Sequence, residues 1–256
     1  MALRQLIVAV EGTAAIGPFW QTIFSDYLDK IIRCFCRNES TGQKPSATPP
    51  QVELSLVIFN THGSYSGFLV QRSGWTRNMD IFFQWLSAIP FAGGGFDDAA
   101  IAEGLAEALM MFSSQNEGQN QNVDGQRHCI LVAASNPYPL PTLVYRPQPQ
   151  NLQQSDNIET QPDNCMSDAE ALAKSFAQLA ISLSVICPKN LPKLRAIYNA
   201  GKRNPQAADP LVDNVKNPHF LVLISENFME ARAALSRPGM PVPPISGPAS
   251  TSVPSG

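Results

Sequence analysis

Glu11, Gly12 and Thr13 close the first apolar run of the chain. These polar and flexible residues interrupt the run, and a helix should follow. A candidate for chemistry is the pair Asp97 and Asp98, which follows Gly93, Gly94 and Gly95. Adjacent acids can share general acid–base work, and the amides of a glycine turn can hold an anion. The plainer reading is that the acids cap the next helix and the glycines make a tight turn into it, because the dinucleotide-binding glycine spacing is missing. Gly63-Ser64-Tyr65-Ser66-Gly67 has glycines at nucleophile-elbow spacing, but Tyr65 stands at the serine position and neither serine has an identifiable histidine and acid partner. Gly201-Lys202 is followed by Arg203 and preceded by helix, which is not a phosphate-binding loop. No catalytic residue can be named, and the expectation is a protein that is not an enzyme.

His62, His128 and His219 are scattered, and none of the five cysteines, Cys34, Cys36, Cys129, Cys165 and Cys187, sits in a C-x-x-C pair. A zinc site of conventional spacing is therefore not available, and no cofactor is expected. An odd number of unpatterned cysteines reads as reduced thiols of a cytosolic or nuclear protein. The formal net charge of −3 supplies no field for a polyanion, so no direct nucleic-acid binding is expected. No apolar stretch approaches bilayer length, and the apolar run in MALRQLIVAV is too short for a signal peptide, so no membrane partner is expected. One positive feature is local: Lys189, Lys193, Arg195, Lys202 and Arg203 occur with no intervening acid. A solvated helix face accounts for them, and the functional alternative is a contact surface for an acidic partner.

Alternating strands and helices must position these residues. Leu6–Val10 reads as a buried strand, and a helix face follows at Phe19, Trp20, Ile23, Phe24, Tyr27, Leu28, Ile31, Ile32 and Phe35, with Pro18 suited to its first turn. Residues 38–50 read as a loop, Val52–Phe59 as a strand, and Tyr65–Val70 as its antiparallel partner at the sheet edge. Asp80–Ile89 predicts a short helix, and the glycine turn leads to another with Ile101, Leu105, Leu109 and Phe112 on one face. A loop from Gln115 to Gln126 precedes the Cys129–Ala134 strand, and Ser135–Met166 is a long insertion without periodicity. Ser167 can cap a helix through Leu179, before a strand at Ser182–Ile186, a helix at Leu191–Asn199 and a last strand at Phe220–Ile224. The fold class is α/β, with a mostly parallel central sheet, one antiparallel edge strand and helices on both faces. Residues 1–230 form the domain, and 231–256 read as a Pro-rich flexible linker toward regions outside this chain.

A strand ending in a small polar loop, with a Gly-Gly-Gly entry to a helix in this order, resembles the von Willebrand factor A fold. The resemblance implies a metal-ion-dependent adhesion site on top of the sheet. Its pattern is Asp-x-Ser-x-Ser after the first strand, a Thr before the glycine-loop helix and an Asp ending the next strand. Here Glu11, Thr13 and Ala15 stand in the first loop, Ala99 at the Thr position, and Ala134, or Ser135 at a slip of one, at the Asp position. Three of these five positions lack a side-chain oxygen, so the expectation is a degenerate site with no specific metal.

More specifically, VAVEGTAAIGPFW, LSLVIFNTHG, GGGFDDAAIAEGLAEAL, HCILVAASNPYPLP and SLSVICPKNLPKLRAIYNA, in that order, resemble the N-terminal domain of the Mediator subunit 25 family, its plant members most, from about Gln5 to Asn227. That resemblance implies a nuclear transcriptional coactivator subunit. Its domain would dock onto other Mediator subunits and so link activators to RNA polymerase II transcription, including light, defence and hormone responses in plants. Transcription factors would be received mainly by regions outside this chain. Two other readings stay open. One is a Mg²⁺-dependent ligand-binding domain of another intracellular complex, in which Glu11 and Thr13 still recruit the metal. The other is an enzyme on a doubly wound sheet, since fold alone never excludes one.

Overall fold

Leu6 to Val10 is apolar throughout because both of its sides are covered. In the computed structural model, which describes residues 3–37, 51–63, 67–114, 126–146, 164–209, 212 and 216–236, this run lies in β1 (Leu3–Glu11). Leu6, Val8 and Val10 enter one apolar core and Ile7 and Ala9 the other, the alternation of a strand buried on both faces. α1 (Gly17–Ile23) follows, with proline in its first turn, then a π-helical stretch at Phe24–Leu28 and α2 (Asp29–Arg37). The expected apolar face runs through all three, burying Ile23, Tyr27, Leu28, Ile31, Ile32 and Phe35.

The remaining elements are β2 (Gln51–Phe59), β3 (Val70–Arg72), α3 (Met79–Ser87), α4 (Ile101–Ser113), β4 (Gln126–Val132), β5 (Thr142–Tyr145), β6 (Asn164–Ser167), α5 (Ala169–Gln178), β7 (Ser182–Cys187), α6 (Pro192–Ala200), β8 (Leu221–Leu223) and α7 (Met229–Leu235). The main sheet has the order β3-β2-β1-β4-β7-β8. β1 lies parallel to β2 and β4, and β4 parallel to β7. α4, α5 and α6 pack on one face through Leu105, Phe176 and Ile197, and α1–α2, α3 and α7 on the other through Ile31, Phe82 and Ala231. This is the mostly parallel, doubly covered sheet of a von Willebrand factor A-like fold. β3 is antiparallel to β2 at one edge, and β8 antiparallel to β7 at the other. At this second antiparallel edge β8 begins beside the C-terminal end of β7, where Leu221 pairs with Cys187.

Several boundaries differ from the expectations. The edge strand begins only at Val70, because Asn60 holds the preceding turn: its amide donates to the Leu69 carbonyl at 2.9 Å and its side chain to the Phe68 carbonyl at 3.0 Å. Residues 64–66 of the expected Tyr65–Val70 strand lie outside the described residues. Asp97 and Asp98 do not cap α4, whose N-cap is Ala100 with no side-chain hydrogen bond. Gly93, Gly94 and Gly95 all have positive φ and fold the acids back, so that the Asp97 carboxylate packs over Gly63. α5 is capped by Asp168, which accepts the Ala171 amide at 2.7 Å, and Ser167 instead closes β6. The Ser135–Met166 insertion contains β5 and β6, an antiparallel pair that buries Val144 against the α4 side of the core. Its residues 147–163, the loops at 38–50 and 115–125, and residues 237–256 lie outside the described residues. The folded part passes the expected boundary at 230, since α7 buries Ala231 and Leu235.

At the opposite end of the sheet from Glu11, Arg4 is a buried junction. Its guanidinium donates to the Gln126 Oε1 at 2.8 Å, to the Phe35 carbonyl at 2.9 Å and to the Glu230 carboxylate, tying β1 to β4, α2 and α7. Beside it, His128 is stacked on Phe228 with ring centroids 4.0 Å apart and meets Phe35 edge-on. Neither ring nitrogen of His128 has a hydrogen-bond partner.

Candidate functional site

The C-terminal ends of parallel strands are where an open α/β sheet gathers ligand-binding groups. Here β1 ends in Glu11, β4 leads to Ala134 and Ser135, and β7 ends in Cys187. The Glu11 side chain is fully buried. Its Oε1 accepts the Thr13 hydroxyl at 2.5 Å and the Ser135 hydroxyl at 2.6 Å, and its Oε2 accepts the Ala134 amide at 2.7 Å and the Ser135 amide at 3.0 Å. The Thr13 oxygen in turn accepts the Ala15 amide at 3.2 Å. The oxygens of this cluster are thus engaged with one another and with the backbone.

The glycine turn closes over the same loop. The Ala92 amide donates to the Gly12 carbonyl at 3.0 Å and the Ala14 amide to the Gly93 carbonyl at 3.2 Å. At Gly94, with φ +88°, a Cβ would lie 2.6 Å from the Thr13 Cβ, so only glycine lets the turn approach. Ala99 is buried in an extended run, its amide donating to the Asn136 carbonyl at 2.8 Å and its carbonyl accepting from the Tyr138 amide at 2.9 Å. Its methyl group faces the α4 core. Ala134 turns its methyl into the opposite core and gives the site only its amide.

At the end of β4 the two candidate positions differ in what they offer Glu11. Ser135, not Ala134, presents a side-chain oxygen to Glu11, so the loop after β4 is not stripped of oxygen as the Ala134 alignment implied. Ala15 and Ala99 remain without one. A hydrated Mg²⁺ needs about six oxygens in near-octahedral array. One carboxylate already accepting four donors, with two hydroxyls committed to it, does not fit that need. Among the described residues, no group of three His, Cys, Asp or Glu side chains is arranged to hold a metal ion. Ser135 was the partner that sequence reasoning weighed only as a slip, and hydroxyl residues at two strand ends were the signal for it.

Burial pushes the Cys187 thiol up to about 11, and the Glu11 charge adds to that; Cys129 is raised further by burial alone. The described cysteines are all free thiols. His62 Nε2 lies 2.7 Å from Glu103 Oε1, under the Tyr138 ring at 4.4 Å between centroids. The Glu103 oxygens accept no aligned hydrogen bond, so that contact is one of proximity.

The basic residues do not form one patch. Arg195 and Lys202 converge on Asp209, with nitrogen-to-oxygen distances of 2.9 Å for each. Lys189 and Arg195 line an open cleft of about 630 Å³ together with His219. Lys193 is exposed near the start of α6. Arg203 is exposed past the end of α6 and close enough to Arg127, at the opening of β4, to help burial lower that guanidinium. Lys189, Lys193 and Arg195 thus lie before or in the first half of α6 and Lys202 and Arg203 past its end, with Asp209 joining Arg195 to Lys202.

The family model described as Mediator complex subunit 25 von Willebrand factor type A matches residues 1–227. The chain is 68% identical over 237 residues to Mediator of RNA polymerase II transcription subunit 25 of Solanum lycopersicum, and 58% identical over 247 residues to that of Arabidopsis thaliana. These matches cover 92% and 96% of this chain but only 29% of either relative. Among solved structures, the SpRpn10 VWA domain overlays with a TM-score of 0.43 at 12% identity, covering 80% of this chain and 85% of that one. That overlay is too loose to bear on function. The family match and both plant relatives span nearly all of the folded part, and the chain belongs to the Mediator complex subunit 25 von Willebrand factor type A family.

Proposed function

We propose that this domain is a non-enzymatic protein-docking module of a nuclear coactivator subunit. It attaches that subunit to other Mediator subunits and so links activators to RNA polymerase II transcription, in plants including light, defence and hormone responses. Transcription factors are met mainly by regions beyond this chain, and the domain itself contacts neither nucleic acid nor membrane. Among the described residues no helix is long and apolar enough to cross a membrane. The Mediator role is supported by the printed names of the relatives. The docking mode is carried by one observation: the Glu11 carboxylate, where this fold would gather a cation to coordinate a ligand, already accepts four hydrogen bonds from its own chain. The site is accordingly degenerate and holds no specific metal, and partners must be bound by surface complementarity.

Affinity purification of residues 1–256 from plant nuclear extract, with identification of the bound chains, tests the reading. Mediator subunits should be enriched over an unrelated von Willebrand factor A domain, with Mg²⁺ or with a chelator present. No enrichment, or enrichment that a chelator abolishes, would overturn it.

A further inference from the structure

The cleft beside β7 and β8 combines two chemistries. Lys189, Arg195 and His219 stand around it, and the exposed Pro218 supplies apolar surface, backed by the buried Pro188 and Phe220. Phe220 is fixed in place, stacked on Tyr27 with centroids 5.9 Å apart and met edge-on by Phe19 at 6.2 Å, so the apolar floor is rigid. The Asn217 side chain holds the approach to β8 against helix α1–α2 by donating to the Asp26 carboxylate at 3.1 Å. Cations around a preformed apolar floor recognise a ligand that offers carboxylates and an apolar group together.

The surface already holds one such carboxylate. Asp209 bridges Arg195 and Lys202, and at 42% side-chain exposure it sits where solvent, or a competing acid, reaches it. Lys189, on the other side of Arg195, is exposed. A polynucleotide is disfavoured by the overall charge of −3 and by Asp209, which pairs with Arg195 of the cleft.

The geometry points to this cleft as the seat of an acidic segment of a partner protein, in which an apolar side chain rests on Pro218, over the buried Phe220, and flanking carboxylates pair with Lys189 and Arg195. The inference rests on the docking reading and deepens it by giving the partner a chemistry and a place. Asp209 then acts as an internal competitor, occupying one of the two cations that the incoming acid uses.

Fluorescence anisotropy with residues 1–256 and a short fluorescein-labelled peptide of Asp, Glu, Leu and Phe tests it. The probe should bind saturably, and more weakly as salt rises. Lys189→Glu should weaken it about tenfold. Asp209→Asn, which releases Arg195, should tighten it roughly two- to fivefold. Arg203→Glu, at the far end of α6, should leave it unchanged. Urea midpoints equal to the parent's show that the variants are folded. The assignment is overturned if the same peptide with Asn and Gln in place of the acids binds equally, if Lys189→Glu has no effect, if Arg203→Glu is as damaging, or if a labelled oligonucleotide binds as tightly. Because the probe is synthetic, its failure removes this cleft and leaves docking through another face standing, whereas failure to capture Mediator subunits removes the docking reading alone.

Discussion

Glu11 and Ala134, 123 positions apart, are joined by a hydrogen bond of 2.7 Å from the Ala134 amide to the buried carboxylate. With the Ser135 amide and hydroxyl and the Thr13 hydroxyl, it locks the loop after β1 to the loop after β4. The carboxylate holds together two loops that a cation would otherwise bridge.

Glu11→Ala should therefore be a stability variant. It strands two amides and two hydroxyls around a cavity, and the expected loss is about 3 kcal/mol. Glu11→Gln should cost less, because its amide oxygen still accepts while its NH₂ faces donors. Urea denaturation of both checks this; a Glu11→Ala midpoint equal to the parent's would mean that the lock contributes nothing.

Magnesium should not bind. A cation held with micromolar affinity would raise stability by about 2.7 kcal/mol at a hundredfold excess over its dissociation constant. Calorimetric titration with Mg²⁺ or Mn²⁺ should give no saturable heat and no shift in melting temperature. Micromolar binding abolished by Glu11→Ala would show an active adhesion site.

His128 should make the fold acid-sensitive. Burial, with the Arg4 charge adding to it, lowers this imidazole from 6.5 to about 3. Above pH 6.5 neither state binds the proton and the contribution is constant. As pH falls from 6.5 toward 3, the unfolded chain takes the proton and the folded one does not, so stability is lost, by roughly 2 kcal/mol at pH 5. His128→Phe, which keeps a ring against Phe35 and Phe228, should flatten the slope of stability against pH in that window. An unchanged slope would place the acid sensitivity elsewhere.

Gly104 lets α4 close on β2. A Cβ there would lie 2.5 Å from the Phe59 ring, and Phe59 is fully buried. Gly104→Ala gains helix propensity but overpacks this contact, and a net loss of about 1–2 kcal/mol is expected. A stabilised variant in thermal melts would mean that Phe59 can yield.

Much of the frame was legible because it rests on short-range patterns. Leu6–Val10, Val52–Phe59, Cys129–Ala134 and Ser182–Ile186 are short stretches rich in apolar residues, as a buried strand requires, and each falls in the main sheet, the third only as far as Val132. β3 was misplaced because its start depends on Asn60 gripping Phe68 and Leu69, which no periodicity records. The Asp97–Asp98 cap failed for a similar reason: three successive positive φ values redirect the chain before α4 begins. α7 was missed because its seven residues are too few to show a face. At the site, Glu11 and Thr13 could be picked out as oxygen donors, but not that they are spent on each other and on Ser135. That depends on the packing of strands β1 and β4, which lie side by side only after folding.

The bond between Arg4 and Glu230 spans 226 positions and has a consequence for how the chain is made. β1 comes before every other described strand in the chain, yet it belongs in the middle of the sheet between β2 and β4. Its buried guanidinium meets its carboxylate only when α7 emerges. The junction at Arg4, which also draws on Gln126 and Phe35, is therefore complete only once α7 has been made.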